Sequence, residues 1–364
     1  MKIAVIGNGM VGSCVVNELL HKIPDAKVIQ YDGMPGTATI AAAGIIAPWL
    51  SKRRNKKWYK LARLGAEYLA KLAQQNKMPL DVYNPAGVVY TRDSQEKINE
   101  LQFLYQKRLS DAPLMGEAKV IDNQELRHIF PFIESNDSGF YVPGGARIDG
   151  LKFINFLNHK NSQVQRLHEV AHLKKDNNQI LVNDEEFDQV VVAAGAWSGK
   201  VVELLGVNLK VRAQKGQLIE VTLPNQQKTT EQMPVLMPEG ERDFIPTADG
   251  KLLIGATHEN DEGFDLTVSP TIEADLLASG QRLITDLNKA DIKQVRVGTR
   301  AYTDDFAPFF GYLPGYQNVL VASGLGSSGL TTGPMIGKLL VDLLMNPSES
   351  FPDLTKPVLE YYRK

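Results

Sequence analysis

The chain has 364 residues, enough for two domains with a substantial buried core. A composition of 43% hydrophobic and 23% charged residues is that of an ordinary globular protein and excludes a disordered one. The net charge of −2 gives no global pull toward nucleic acid or an anionic membrane, and the single cysteine, Cys14, excludes an intramolecular disulfide framework and suits a reducing compartment.

At the N-terminus, Met1-Lys2 leads at once into the apolar run Ile3-Ala4-Val5-Ile6, without the basic and apolar segments of a signal peptide. No run of roughly 18 apolar residues follows anywhere, so the expectation is a cytoplasmic protein with no integral membrane association. After Ile6 comes Gly7-Asn8-Gly9-Met10-Val11-Gly12, then helical spacing through Val15, Val16, Leu19 and Leu20, then a strand over Lys27 to Tyr31. Trp58, Leu61, Leu69 and Leu72 mark one buried face of a helix over 58–75. Residues 85–145 mix strand and helix patterns. Strand alternation returns over 163–173 and 179–182 and in the apolar run Val190 to Ala194. Several half-buried strands follow between 211 and 256, punctuated by turns such as Asp249-Gly250. A helix is expected over 271–287, and a strand, a glycine turn and a helix over 319–344.

The chemistry begins with the glycines. Gly7, Gly9 and Gly12 permit a tight turn, a close approach of backbone to a pyrophosphate, and close packing of helix on strand. The helix then presents free N–H groups and its positive dipole end to the phosphates. Asp32, twenty residues after Gly12, stands at the end of the second strand, where a carboxylate accepts hydrogen bonds from ribose hydroxyls and repels a 2′-phosphate. This motif serves NAD and FAD alike. Ala41-Ala42-Ala43-Gly44 suits a flat, bulky ring lying against backbone, but a small-residue helix packed on a sheet has the same composition.

Taken together, the chain resembles the D-amino-acid oxidase and glycine oxidase superfamily of FAD-dependent amine oxidoreductases over nearly its whole length. The stretches that carry the likeness are Gly7-x-Gly9-x-x-Gly12, Ala41 to Gly44, Glu169-Val170 before a β-meander and Val190 to Ser198 after it. Lys215-Gly216-Gln217, Gly250 to Thr257, Gly298-Thr299-Arg300 and Gly324 to Gly329 complete the series in order. The resemblance implies an α/β (α+β) fold: a Rossmann-like FAD-binding domain formed by 1–85, 146–210 and 296–364. A mostly antiparallel substrate-binding domain, 86–145 and 211–295, is inserted into it.

By the same resemblance FAD is the cofactor. Met10 and Val11 at the first helix and Ala194-Gly195 with Trp197 lie along the pyrophosphate side, and Val170 holds the adenine through its backbone. Ala42, Ala43, Gly44, Ile45 and Ile46 line the isoalloxazine. Gly324, Gly326, Ser327, Ser328, Gly329, Leu330 and Thr331 aim backbone N–H groups and a helix N-terminus at its N1–C2=O edge. Cys14 matches no position of covalent flavin attachment, so FAD is expected to be non-covalent.

Arg300 matches the arginine that grips a substrate carboxylate beside the flavin, a task suited to a planar, permanently charged fork; the competing reading is an ion pair with Asp304 or Asp305. Phe244 lies in the strand where some relatives place a tyrosine that touches the carboxylate. It is either a pocket residue without that hydroxyl, with Tyr302 or Tyr59 in its place, or plain core. His21, His128, His159, His168 and His172 fall in surface contexts, His258 follows a strand end, and no pair has metal-ligand spacing, so no metal is expected. The run Ser51-Lys52-Arg53-Arg54-Asn55-Lys56-Lys57 reads as a solvated loop or as a basic rim near the site.

The expected activity is oxidation of a small amino acid or secondary amine by hydride transfer from the carbon alpha to the amine, giving an imine that hydrolyses. The partner is thus a small molecule, and a homo-oligomer is left open. Rival readings are a flavoenzyme acting on a hydroxy acid or polyol phosphate, and an FAD-binding protein without turnover.

Overall fold

The structure, a computed structural model, describes residues 1–53, 55–177, 179–223, 230–240, 242–248 and 250–363. Asp249 of the expected turn and Arg54 of the basic run lie outside the described residues. The β-α-β unit forms as expected. Lys2–Ile6 pairs in parallel with Lys27–Tyr31 on one side and with Gln189–Val192 on the other, and Met10–Lys22 is the helix between the first two strands. Buried on both faces, these strands read as continuous apolar runs. The full sheet has six strands in the order Phe309–Tyr312, Val319–Ser323, Gln189–Val192, Lys2–Ile6, Lys27–Tyr31, Gln165–Leu167, with only the first edge strand antiparallel.

A second sheet has eight strands and is antiparallel except where Val235–Met237 meets Val88–Arg92. Its longest pair joins Arg212–Thr222 to Ile292–Tyr302, in register from Arg212↔Tyr302 to Glu220↔Gln294, with a shift before Val221↔Ile292. The expected domain boundary between 295 and 296 therefore cuts a strand that hydrogen bonds as one unit, and the whole of Ile292–Tyr302 goes with the eight-stranded sheet. Two other expectations also change. The run 163–173 is two strands, Gln165–Leu167 and Leu173–Asp176, because the chain leaves the parallel sheet after Leu167 and opens the meander Leu173–Asp176, Gln179–Val182, Glu185–Phe187. The helix begun at Pro270 ends at Gln281, where Leu283 and Ile284 both donate to Gly280 O.

What positions the site is the packing of two helices, Met10–Lys22 and Gly329–Met345. Gly337 faces Cys14 and Val11 so closely that a Cβ on it would lie 2.7 Å from Cys14 Cβ, and one on Gly333 would lie 2.7 Å from Met10 Cγ. A third helix, Lys56–Gln75, is started by Asn55, whose side chain accepts from Trp58 N at 3.0 Å. It lays Gly65 against Thr331 O. No helix among the described residues is long and apolar enough to cross a membrane. In a close-packed interior an inserted side chain costs about 1–3 kcal/mol. Gly337→Val is therefore expected to lower stability by about that amount in urea unfolding, and a Tm equal to the parent's would contradict the packing described.

Candidate active site

One cavity brings together the first glycine motif, the Ala41–Ile45 segment, the C-terminal glycine turn and Arg300. At its N-terminal end Gly7 has φ +114°, and a Cβ there would lie 2.3 Å from Ala193 O; one on Gly12 would lie 2.0 Å from Gly7 O. Gly12 therefore does not line the cavity. It lets helix and strand touch, which is the third glycine's job in the motif. Gly7, Gly9, Met10 and Val11 do line it. The helix begins at Gly9 with no side-chain cap, and Thr39 Oγ1 takes the Met10 N–H at 3.0 Å from a different segment. Asp32 lines the cavity at the end of its strand, with Asn8 Nδ2 donating to it at 3.2 Å.

Glu169 and Ala171 face the cavity beside Gly33. The Val170 side chain is exposed, while its backbone N lies against Gly33 and its carbonyl accepts from Asn183 Nδ2 at 3.1 Å. Ala194, Gly195 and Trp197 form the next stretch of wall. Trp197 Nε1 donates to Pro35 O at 3.2 Å, and its ring lies 4.1 Å from that of Phe264.

Ala42, Ala43, Gly44 and Ile45 line the middle, whereas Ile46, the next residue along an extended segment, turns into the core and is 1% exposed. Opposite them, Gly326, Ser327, Gly329 and Leu330 line the wall at the start of Gly329–Met345, a second helix that begins without a side-chain cap. Gly324, Ser328 and Thr331 lie behind this wall. Gly324 packs on Thr303, Ser328 Oγ accepts from Trp58 Nε1 at 2.9 Å, and Thr331 is buried against Gly65. Two uncapped helix N-termini thus face one cavity, with N–H groups and positive dipole ends directed at it. Cys14, one turn along the first helix from Met10, is fully buried against Gly337 and does not line the cavity; burial and the Glu18 carboxylate push its thiol upward.

Arg300 projects from the strand Ile292–Tyr302 over Gly216, where a Cβ would lie 2.6 Å from its Nη1. That nitrogen donates to Thr257 O at 2.6 Å and Gln214 Oε1 at 3.2 Å. Burial draws the guanidinium below its ordinary value, and Tyr302 and Glu259 pull it back up. Among the described residues Arg300 makes no ion pair with Asp304 or Asp305, and Asp305 is taken by Lys356 at 2.7 Å and by Thr303 Oγ1 at 2.9 Å. Behind Arg300, buried Gln217 donates to the Glu259 carboxylate at 3.0 Å and takes its backbone N–H to Thr257 Oγ1 at 2.8 Å. This network fixes the carbonyl that holds the arginine.

Phe244 is not a pocket residue. It is 3% exposed and packs in the core with Leu236 and Ile254, while its neighbour Asp243 lines the cavity. Strand alternation sends adjacent side chains to opposite faces, so an error of one residue exchanges wall for core. Neither Tyr302 nor Tyr59 reaches the wall. Tyr302 packs edge-on to Phe306 at 5.5 Å, and Tyr59 sits under Arg108 at 4.4 Å. Of the histidines only His258 joins the lining, and no cluster among the described residues is arranged to hold a metal. From the basic run, Arg53 reaches the rim and donates to Ser327 Oγ at 3.1 Å, while Lys52 pairs with Glu100.

Residues 2–343 match the FAD dependent oxidoreductase family, DAO. The chain belongs to this family. It is 31% identical over 354 residues, 94% of either chain, to the uncharacterized oxidoreductase YurR of Bacillus subtilis. It is 25% identical over 358 residues, again 94% of each, to a glycine oxidase of Pseudomonas aeruginosa. Among solved structures it superposes on iminodiacetate oxidase from Chelativorans sp. BNC1 with a TM-score of 0.88 at 27% identity, covering 99% and 98% of the two chains. Glycine oxidase from Geobacillus kaustophilus, at 21% identity, superposes with a TM-score of 0.80 and shares the fold. The family cofactor fits this cavity: the glycine contacts clear the backbone, the small-residue wall leaves room for a ring, and two helix ends supply the N–H groups.

Sequence reasoning missed Asp243, Thr39, Gln214 and Glu259. Alternation of Phe244-Ile245-Pro246 marks Asp243 as facing the other way from Phe244, but nothing local marks the other three, which act across long separations. Gly216→Ala is expected to push the guanidinium off its two acceptors. A misplacement near 1 Å costs roughly 100-fold in turnover, so kcat/KM should fall by about that factor at unchanged flavin content; unchanged kcat/KM would contradict the close contact.

Proposed function

We propose that this FAD-dependent oxidoreductase oxidises a small amino acid or secondary amine carrying a carboxylate. The observation that carries the reading is Arg300: a half-buried guanidinium in the cavity wall, held through Nη1 by Thr257 O and Gln214, with no ion pair to Asp304 or Asp305 among the described residues. Such a group binds a carboxylate in a fixed orientation at a small separation from the Ala42–Ile45 wall. The likeness to proteins described as iminodiacetate oxidase and glycine oxidase supports an amino-acid type of substrate.

Bound FAD supplies the acceptor for the hydride that leaves the carbon alpha to the amine, and the resulting imine is hydrolysed by water. Asp32 holds the ribose, the two helix N-termini and Ala194-Gly195 hold the phosphates and the negatively charged edge of the ring, and Arg300 anchors the substrate. With Cys14 buried away from the cavity, the flavin is held non-covalently. Acid precipitation should therefore release all of the flavin into the supernatant; flavin retained in the pellet would contradict this.

The reading is tested by anaerobic mixing with glycine, sarcosine, iminodiacetate, proline and D-alanine, and separately with glycerol phosphate. At least one amine is expected to bleach the flavin. In Arg300→Ala, kcat/KM for that amine should fall roughly 30-fold or more, as when one partner of a buried charge pair, worth about 2–5 kcal/mol, is removed. Bleaching by glycerol phosphate alone would replace the reading with a polyol phosphate one, and bleaching by nothing would leave a flavin protein without this chemistry.

A further inference from the structure

Arg300 is not the only charged side chain on this cavity wall. Asp243 opens the strand Asp243–Pro246 and sits directly across from Gly255 in the neighbouring strand, so no side chain there covers it. It lines the cavity together with Arg300, His258 and Ala256. Among the described residues no hydrogen bond or ion pair is made by its carboxylate. The groups around it are otherwise engaged. Arg92 Nη1 donates to Thr91 O at 2.6 Å and Met237 O at 3.4 Å, and Tyr90, on the same strand as Arg92, directs its hydroxyl to Ala47 O at 3.4 Å. Arg242 donates to Ala256 O at 3.1 Å and to Asp275 at 3.0 Å. Burial pushes the Asp243 carboxyl up to about 7, with Arg92 pulling it down.

Asp243 is half-buried, and a carboxylate there that takes no donor from its own protein is left to accept one from a ligand. The wall between the two charged groups consists of Gly, Ala and apolar residues such as Ala42, Ala43, Leu218 and Ala256. The other carboxylates of the lining, Asp32 and Glu169, stand beside Asn8 and Gly33, so the stretch of wall with Arg300 and Asp243 pairs one cation with one carboxylate and is complementary to a small zwitterion. Resting on the amine reading above, we infer that Asp243 is the residue that recognises the substrate's protonated amino group and so selects amino acids over hydroxy acids of the same shape. Arg300 takes the carboxylate, and Asp243 takes the ammonium N–H. A hydroxy acid can donate its O–H to Asp243 but brings no positive charge, so it lacks the charge-assisted pairing that an ammonium makes.

The pH dependence follows in sign. The raised carboxyl is ionised above about 7 and neutral below it. Selection for the ammonium is therefore full above that pH and is lost as the pH falls through it.

The test uses two ligands of matching shape that have no hydrogen on the alpha carbon and so cannot be oxidised: 2-aminoisobutyrate and 2-hydroxyisobutyrate. Their dissociation constants are read from the shift of the flavin absorbance in the FAD-loaded protein. Wild type at pH 8.5 should prefer the amino compound by roughly 10- to 150-fold, the worth of a hydrogen bond to a charged group. The preference should collapse at pH 5.5. In Asp243→Asn it should be small at both pH values, while the hydroxy compound still binds. A wild-type preference that does not change with pH, or one that survives in Asp243→Asn, would overturn the inference. The wild-type pH comparison stands even if the variant does not fold. If amines bleach the flavin but wild type does not distinguish the two ligands, the inference fails while the amine reading survives. If neither ligand binds and no amine bleaches the flavin, both fail.

Discussion

The site depends on the contact between the helices Met10–Lys22 and Gly329–Met345. They come from opposite ends of the chain, and Gly333 and Gly337 let their backbones approach to within the width of a methyl group. That approach brings two helix N-termini to one place. Neither is capped by its own N-cap side chain; Thr39 Oγ1 takes the Met10 N–H, and the other free N–H groups of the two first turns are left for a ligand. A protein that needed only stability would have a Ser, Thr, Asp or Asn accepting at each end. Here Gly9 and Ser328 occupy those positions, and the Ser328 hydroxyl donates to Leu325 O and accepts from Trp58 Nε1 instead.

The remaining charges are placed by the other sheet. Its long strand pair carries Gly216 under Arg300, and the shorter strands carry Asp243 and the Gly255–His258 turn. Buried Gln217, Thr257 and Glu259 hold the turn, and its Thr257 carbonyl holds the arginine. The first glycine motif and Arg300 therefore belong to separate sheets, and the Ala41–Gly44 segment packs against Gly298 and Ile148. The same four residues explain why that segment must be small: Gly298 lies against Ala41 Cβ, and a Cβ on Gly44 would meet Ile148 O at 2.2 Å.

Much of this was legible in the residues. Gly7, Gly9 and Gly12 with Asp32 announce a nucleotide site because each glycine has a separate steric task, and those tasks are local. The order of the later glycine stretches gave the fold and the cofactor class. What was not legible was the facing of single side chains. Phe244 and Asp243 differ by one position, and only the pairing of Asp243 with Gly255 decides which of them faces the cavity. Ile46 differs for the same reason, since it follows a wall residue in extended backbone. Gln214 and Thr257 were invisible because they act on Arg300 from strands some forty to ninety residues away. The boundary set between 295 and 296 falls inside the strand Ile292–Tyr302, whose pairing with Arg212–Thr222 joins residues some seventy to ninety positions apart.

The central claim is that the cofactor bed and Arg300 belong to one cavity. Acetate carries the carboxylate and nothing else, so its effect on the bound flavin reports that geometry alone. The account predicts that acetate added to the FAD-loaded protein produces a saturable shift of the flavin absorption bands, and that Arg300→Ala abolishes it at equal flavin content. An unmoved spectrum in the wild-type protein, or the same shift in the variant, would contradict the claim.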